Sequence, residues 1–151
     1  MTAPAHLPWT DWLPSQRWYA GRSRDLAQVR RGELISLRDD LDLALLDVDY
    51  TDGSTERYQL LIRWDSGPID EYNQVATIGT IVDDRGERTA YDALYDPGAA
   101  RELLALVDRS ATVGPLRFVK EPDAQLPVDK APRISSAEQS NTSVVFEDAA
   151  V

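Results

Sequence analysis

The sequence contains no cysteine and a single histidine, His6, close to its N-terminus. The first absence removes disulfides, cysteine-ligated zinc and thiol nucleophiles together. The second leaves no histidine for an internal base or a histidine cluster. Lysine is scarce as well, with only Lys120 and Lys130 among 16 basic residues. Those 16 stand against 26 acidic side chains, a formal net charge of −10. That balance argues against nucleic acid, whose binders need a cationic footprint, and against docking on an anionic membrane surface. No apolar run approaches the roughly 20 residues of a membrane span. The N-terminal segment has no basic start followed by an apolar stretch, so no secretory signal is expected and a cytoplasmic location is.

What remains is an ordinary globular composition, 42% apolar over 151 residues, long enough for one domain or one domain and part of another. A chain of this size buries roughly 68–70% of its unfolded surface. Trp9, Trp12, Trp18 and Tyr19 crowd the N-terminal segment. They fit a short helical segment packed on a sheet better than an aromatic platform for sugar or peptide, because nothing polar is interleaved at a sugar-binding spacing. Thr10 is a candidate helix cap, Pro14 suits the start of a new turn, and Gly21 would close the segment.

Strand patterns follow at 27–37, 41–50 and 55–65. Thr51-Asp52-Gly53-Ser54 between the last two predicts a two-residue hairpin turn. Residues 76–82, the turn Asp83-Asp84-Arg85-Gly86 and residues 87–92 repeat strand, turn and strand. The class expected is α+β: an N-terminal helix on an antiparallel meander, then a helix and the first hairpin of a second unit. Asp96-Pro97 starts that helix, Leu103, Leu104, Leu106 and Val107 give its apolar face, and Gly114 is expected to end it. Residues 116–120 read as a short strand, and 121–132, with three prolines, as a connector. Arg133–Glu147 reads as strand, polar turn, strand. A hairpin at that position has an exposed edge and little to pack against, so 133–151 are expected to be poorly ordered unless another chain covers them.

Several acidic groups suggest metal sites and fail on geometry. Asp47-Val-Asp49-Tyr-Thr-Asp52-Gly53 lacks the glycine and the bidentate glutamate of a calcium loop at the required positions. Asp39, Asp40 and Asp42 fit a charged turn, since adjacent strand side chains point to opposite faces. Asn141-Thr142-Ser143 matches a glycosylation acceptor, which without a secretory signal carries no weight. The distinctive segment is Glu138-Gln139-Ser140-Asn141-Thr142-Ser143, between two short apolar runs. Small hydroxyl and amide residues there present backbone N–H and O–H donors with little bulk, as a phosphate cradle requires.

Four segments together resemble a known family. Trp12-Leu13 with Gln16-Arg17-Trp18-Tyr19-Ala20-Gly21-Arg22 is similar to the opening of the bacterial maltokinases. Asp49-Tyr-Thr-Asp-Gly-Ser-Thr-Glu-Arg-Tyr58, Tyr91-Asp-Ala-Leu-Tyr95 and Ala137-Glu-Gln-Ser-Asn-Thr-Ser143 continue the likeness in order along the chain. The resemblance implies an aminoglycoside-phosphotransferase-like kinase that uses ATP and Mg²⁺ to phosphorylate maltose on its anomeric hydroxyl. The product, maltose 1-phosphate, feeds synthesis of glycogen-like α-glucan from trehalose. It implies a cap subdomain over residues 1–90 and the start of an intermediate, kinase N-lobe subdomain over 91–151, with the connector at 121–132. Gln139, Ser140, Asn141, Thr142 and Ser143 would be the phosphate loop, binding ATP.

Phosphoryl transfer of this kind also needs a lysine on the phosphates, an aspartate at the attacking hydroxyl and metal ligands. In the family these follow the loop, whereas here Lys120 and Lys130 precede it. No catalytic or metal residue is therefore assigned, and the chain alone is expected to be inactive. The rival expectation is a freestanding regulatory module, docking through its aromatic N-terminus on an enzyme of trehalose or glycogen metabolism. A kinase of the same build acting on another sugar is a third.

Overall fold

A computed structural model of the chain describes residues 7–16, 18–65, 76–134 and 143–147, together with the backbone of 149–150. The chain begins with a single helical turn, α1 (Trp9–Trp12), continued by a 3-10 turn at Leu13–Ser15. Thr10 lies inside α1 and does not cap it: the helix starts at Trp9, preceded by Pro8, with no side-chain cap. Pro14 stands in the first positions of the 3-10 turn, where its missing N–H is no loss. Gly21 closes the segment by close approach, since a Cβ there would lie 1.9 Å from the Tyr50 hydroxyl.

Five antiparallel strands follow: β1 (Leu26–Arg38), β2 (Leu41–Tyr50), β3 (Thr55–Asp65), β4 (Thr77–Asp83) and β5 (Gly86–Asp92). Their order is β1-β2-β3-β5-β4, so the sheet departs from the expected meander. β5 takes the inner position because Thr89–Asp92 are all buried, whereas β4 exposes Val82 and belongs at an edge. The turn between β2 and β3 also differs from expectation. Gly53 N–H donates to the Tyr50 carbonyl at 3.0 Å and Tyr50 N–H to the Ser54 carbonyl at 2.9 Å, which makes a three-residue loop. Gly53 occupies its left-handed position at φ 89°, which only glycine adopts without strain.

The strand period of two divides the core. Ala44, Leu46, Val48 and Tyr50 of β2, with Leu60, Ile62 and Trp64 of β3, pack under Trp9, Trp12 and Leu13. Leu41 and Leu43, with Leu61, face the other way, against Ala99 of the long helix α2 (Pro97–Asp108). Leu13, Leu41, Leu46 and Val48 are completely buried, and each side chain of this kind contributes about 1.5–3 kcal/mol relative to exposure. Farther along that second face, where α2 no longer covers it, the same register carries charge. Arg57 binds Asp47 at 2.7 Å and Arg30 binds Asp49 at 2.8 Å.

Asp96 caps α2 by accepting the Gly98 N–H at 3.0 Å, and Pro97 follows at the first helical position. Asp96 also meets Arg63 of β3 at 3.0 Å, which ties the helix start to the sheet. The helix ends well before Gly114. Ala111 N–H donates to the Leu106 carbonyl and Ser110 N–H to the Val107 carbonyl, each at 3.0 Å, with Ser110 in the left-handed region at φ 47°. That is a Schellman ending with serine where glycine is usual. Gly114 sits in the turn between β6 (Thr112–Val113) and β7 (Leu116–Arg117). Residues 121–131 carry no helix or strand, and β8 (Pro132–Ile134), β9 (Val144–Phe146) and β10 (Ala149–Ala150) form a small antiparallel sheet in the order β10-β9-β8. The expected lack of packing there is corrected by β9. It is the central strand, and Val144 and Phe146 are buried against Ala100 and Leu104 of α2.

Candidate functional site

Of the five residues expected to cradle phosphate, Gln139, Ser140, Asn141 and Thr142 lie outside the described residues. Ser143 is half-buried and directly precedes β9. The strands on either side are held in register by the pairs Ile134↔Val144 and Pro132↔Phe146. The base of this hairpin is fixed in turn: Glu147 N–H donates to the Ala131 carbonyl at 3.0 Å, and Lys130 reaches Glu147 at 3.3 Å. A continuous line of packing thus runs from β2 and β3, through Ala99 and Ala100 on adjacent faces of α2, to Val144 and Phe146. The segment 135–143 leaves and re-enters on strands braced by α2.

A slot of about 580 Å³ opens beside this brace. Leu103, Leu104 and Val107 of α2, Phe146 of β9, Trp18 and Tyr58 line it. Asp92, the last residue of β5, also lines it and is 2% exposed. Its carboxylate accepts the Leu94 N–H at 3.1 Å, which starts the 3-10 turn leading into α2. Burial pushes the Asp92 carboxyl up to about 6, and the Leu94 hydrogen bond opposes that only in part. Nothing in the spacing of the sequence singles out Asp92 among the 26 acidic residues; only its place in Tyr91-Asp92-Ala-Leu hinted at a constraint.

The other polar groups of interest are occupied structurally. Asp42 accepts the Trp64 indole N–H at 2.9 Å, and burial raises its carboxyl despite that bond. Asp40 meets Arg38 at 2.6 Å and Arg63 at 3.7 Å. The hydrogen bond from Arg57 holds Asp47 below the usual carboxylate range, and that from Arg30 does the same for Asp49. A second groove, of about 900 Å³, lies between the N-terminal segment and β4–β5. Within it Arg88 binds Asp83 and stacks 4.4 Å over Trp64. Trp9 and Trp12 are 7% and 6% exposed and meet edge to face at 6.2 Å. They are core residues, as expected, and present no platform. Trp18 continues the aromatic line to Tyr58 at 5.5 Å and forms part of the slot.

Among the described residues no helix is long and apolar enough to cross a membrane. The five-stranded sheet with its aromatic N-terminal turn, and the 3-10 turn that follows β5, coincide with a recognised sequence family. The family model of the maltokinase N-terminal cap domain matches residues 12–96, more than half of the 151. Its span runs from Trp12, beneath which β2 packs, to Asp96, the cap of α2. The chain belongs to the maltokinase N-terminal cap domain family.

Proposed function

We propose that this chain is the N-terminal portion of an ATP-dependent maltose kinase that makes maltose 1-phosphate and ADP. The observation that carries the reading is the cap-domain match over residues 12–96. In the same chain a short hairpin follows whose connecting residues, 135–143, include the Gln139–Ser143 run. Cap and intermediate subdomains would divide the chain near residues 90 and 91, although the strand β5 itself continues to Asp92. The backbone N–H groups of Gln139–Ser143 and the hydroxyls of Ser140, Thr142 and Ser143 would hold the ATP phosphates. Their donors suit an anion and leave space for the backbone to approach it. Bound Mg²⁺ would neutralise charge on the transferred phosphoryl group. The contribution of this chain is positioning: the cap sheet supports α2, α2 supports β9, and β9 fixes one end of the loop.

The rival reading, a regulatory module that docks through its aromatic N-terminus, is weakened by the burial of Trp9 and Trp12. The test uses the full-length polypeptide with maltose, ATP and Mg²⁺. Ser140→Leu is expected to raise the KM for ATP about tenfold while leaving that for maltose within about twofold, because the bulk falls on the phosphate side alone. An unchanged KM for ATP would remove the loop from nucleotide binding. Absence of maltose-dependent ADP release from the unaltered protein would remove the kinase reading itself.

A further inference from the structure

Strand β3 is paired on both edges only in its second half. β5 joins it from Ile62 to Asp65, whereas residues 55–61 pair with β2 alone, and Arg57–Leu61 line the slot. Two bonds fix which way the backbone points. Trp64 N–H donates to the Asp40 carbonyl and Tyr50 N–H to the Ser54 carbonyl, both at 2.9 Å, and the β2–β3 register between them is unbroken. Even-numbered residues of β3 therefore aim their N–H and C=O groups at β2, and Arg57, Gln59 and Leu61 aim theirs outward. Among the described residues none of these outward groups meets a backbone partner.

Open sheet edges are normally blunted. β1, the outer strand, shows how: its register slips at three places and its middle carries Arg30, Arg31 and Glu33. The open half of β3 has neither bulge nor proline, and Trp18 with Leu103, Leu104 and Val107 of α2 lines the slot beside it. This lining suits the alternation of a strand. Leu103 packs on the cluster at the α2 face of the sheet, whereas Trp18, Tyr58 and Ile62, the register partner of Asp92, belong to the cluster on the other face. Asp92 supplies the charge. It is buried with one backbone hydrogen bond and has no cation near it among the described residues. Among the described residues the one cation lining the slot, Arg57, is held by Asp47 at 2.7 Å. A buried carboxylate of this kind is unfavourable until a cation completes it.

The geometry points to a strand-docking site: the open edge of β3 takes an extended segment of a separate protein, apolar toward α2 and with a basic side chain on the opposite side for Asp92. Backbone pairing with Arg57, Gln59 and Leu61 would give affinity, and the alternating side chains selectivity. Charge favours a basic partner over a second copy of this chain, which carries a formal net charge of −10. The site stands apart from the kinase reading and does not depend on it.

The test uses the whole chain and a blocked peptide, acetyl-Thr-Val-Lys-Val-Thr-amide, beside its analogue with norleucine for lysine. The lysine peptide is expected to slow exchange of the Arg57, Gln59 and Leu61 amides about tenfold. It is expected to bind about tenfold more tightly than the norleucine peptide. Asp92→Asn, which keeps an acceptor for the Leu94 N–H, should bring the two peptides within about twofold of one another. Unaltered exchange at those amides under millimolar peptide would overturn the proposal, as would equal binding of the two peptides to the unaltered chain. Protection of the same amides by self-association at high protein concentration would assign the edge to a second copy and overturn it too.

Discussion

The five-stranded sheet and the last third of the chain are built on different scales. β1, β2 and β3 are 13, 10 and 11 residues long, and buried side chains cover one face of β2 from Ala44 to Tyr50 and the other at Leu41 and Leu43. After Arg109, by contrast, the described strands are two or three residues long, and the largest buried groups are Val144 and Phe146. The sheet carries its own core. The hairpin that brackets the Ser/Asn segment has none, and it borrows one from α2. The difference teaches that the cap can act as a foundation: it fixes α2, and α2 fixes the strand next to the expected phosphate loop. Aromatic residues are divided in the same way. Trp9, Trp12, Trp18 and Trp64 are all in or against the sheet core, so tryptophan fluorescence reports on the cap alone.

The sharpest way to break the comparison is to damage each region in turn. Leu46→Ala, at a completely buried position in β2, should lower the stability of the cap by about 3–4 kcal/mol in a urea titration followed by tryptophan fluorescence. Phe146→Ala should leave that same transition within about 1 kcal/mol, because the cavity opens on α2 and not in the sheet. Comparable shifts from the two variants would mean a single cooperative unit and would erase the distinction.

Asp92 lies at the junction, and its titration sharpens the comparison next. Its carboxyl is raised by burial to about 6, above the unfolded range. The protonated group is therefore compatible with the fold at low pH, and a penalty develops as pH rises from about 4 to about 6. Replacement by asparagine keeps the acceptor and removes the charge. Relative to the unaltered chain, Asp92→Asn should gain roughly 2–3 kcal/mol between pH 4 and pH 7.5. A difference independent of pH would place Asp92 in contact with a cation or with solvent. A smaller effect is expected at the end of α2. Ser110 holds a left-handed conformation at φ 47°, and Ser110→Gly should stabilise the helix end by about 0.5–1 kcal/mol. Thermal melting followed by helical circular dichroism checks it, and a loss in place of the gain would show that the Ser110 hydroxyl, which accepts the Lys120 N–H at 3.4 Å, outweighs the strain.

Local rules made much of the sheet legible. Alternation marked β2 and β3 to the residue, and Asp96-Pro97 marked the start of α2. Non-local choices escaped. Nothing in residues 76–92 says that β5 will lie inside β4, because that order depends on which strand the sheet can bury. The three-residue loop at Thr51–Gly53 and the serine at the end of α2 escaped because each uses a left-handed residue where more than one turn is compatible with the sequence. The site shows the same division. The Gln139–Ser143 segment was visible as composition and motif, of which the structure describes Ser143. The open half of β3 was invisible, since a missing neighbour is a property of pairing and not of the strand.

Native-state amide exchange measures the two regions in one sample. The amides of Leu46 and Leu60, in paired central strands, should open only with global unfolding of the cap. That of Val145, in the three-residue β9, should exchange through a local opening of markedly lower free energy. Equal opening free energies at Leu60 and Val145 would contradict the account, because the hairpin beside the expected phosphate loop would then be as much a part of the cap core as the sheet itself.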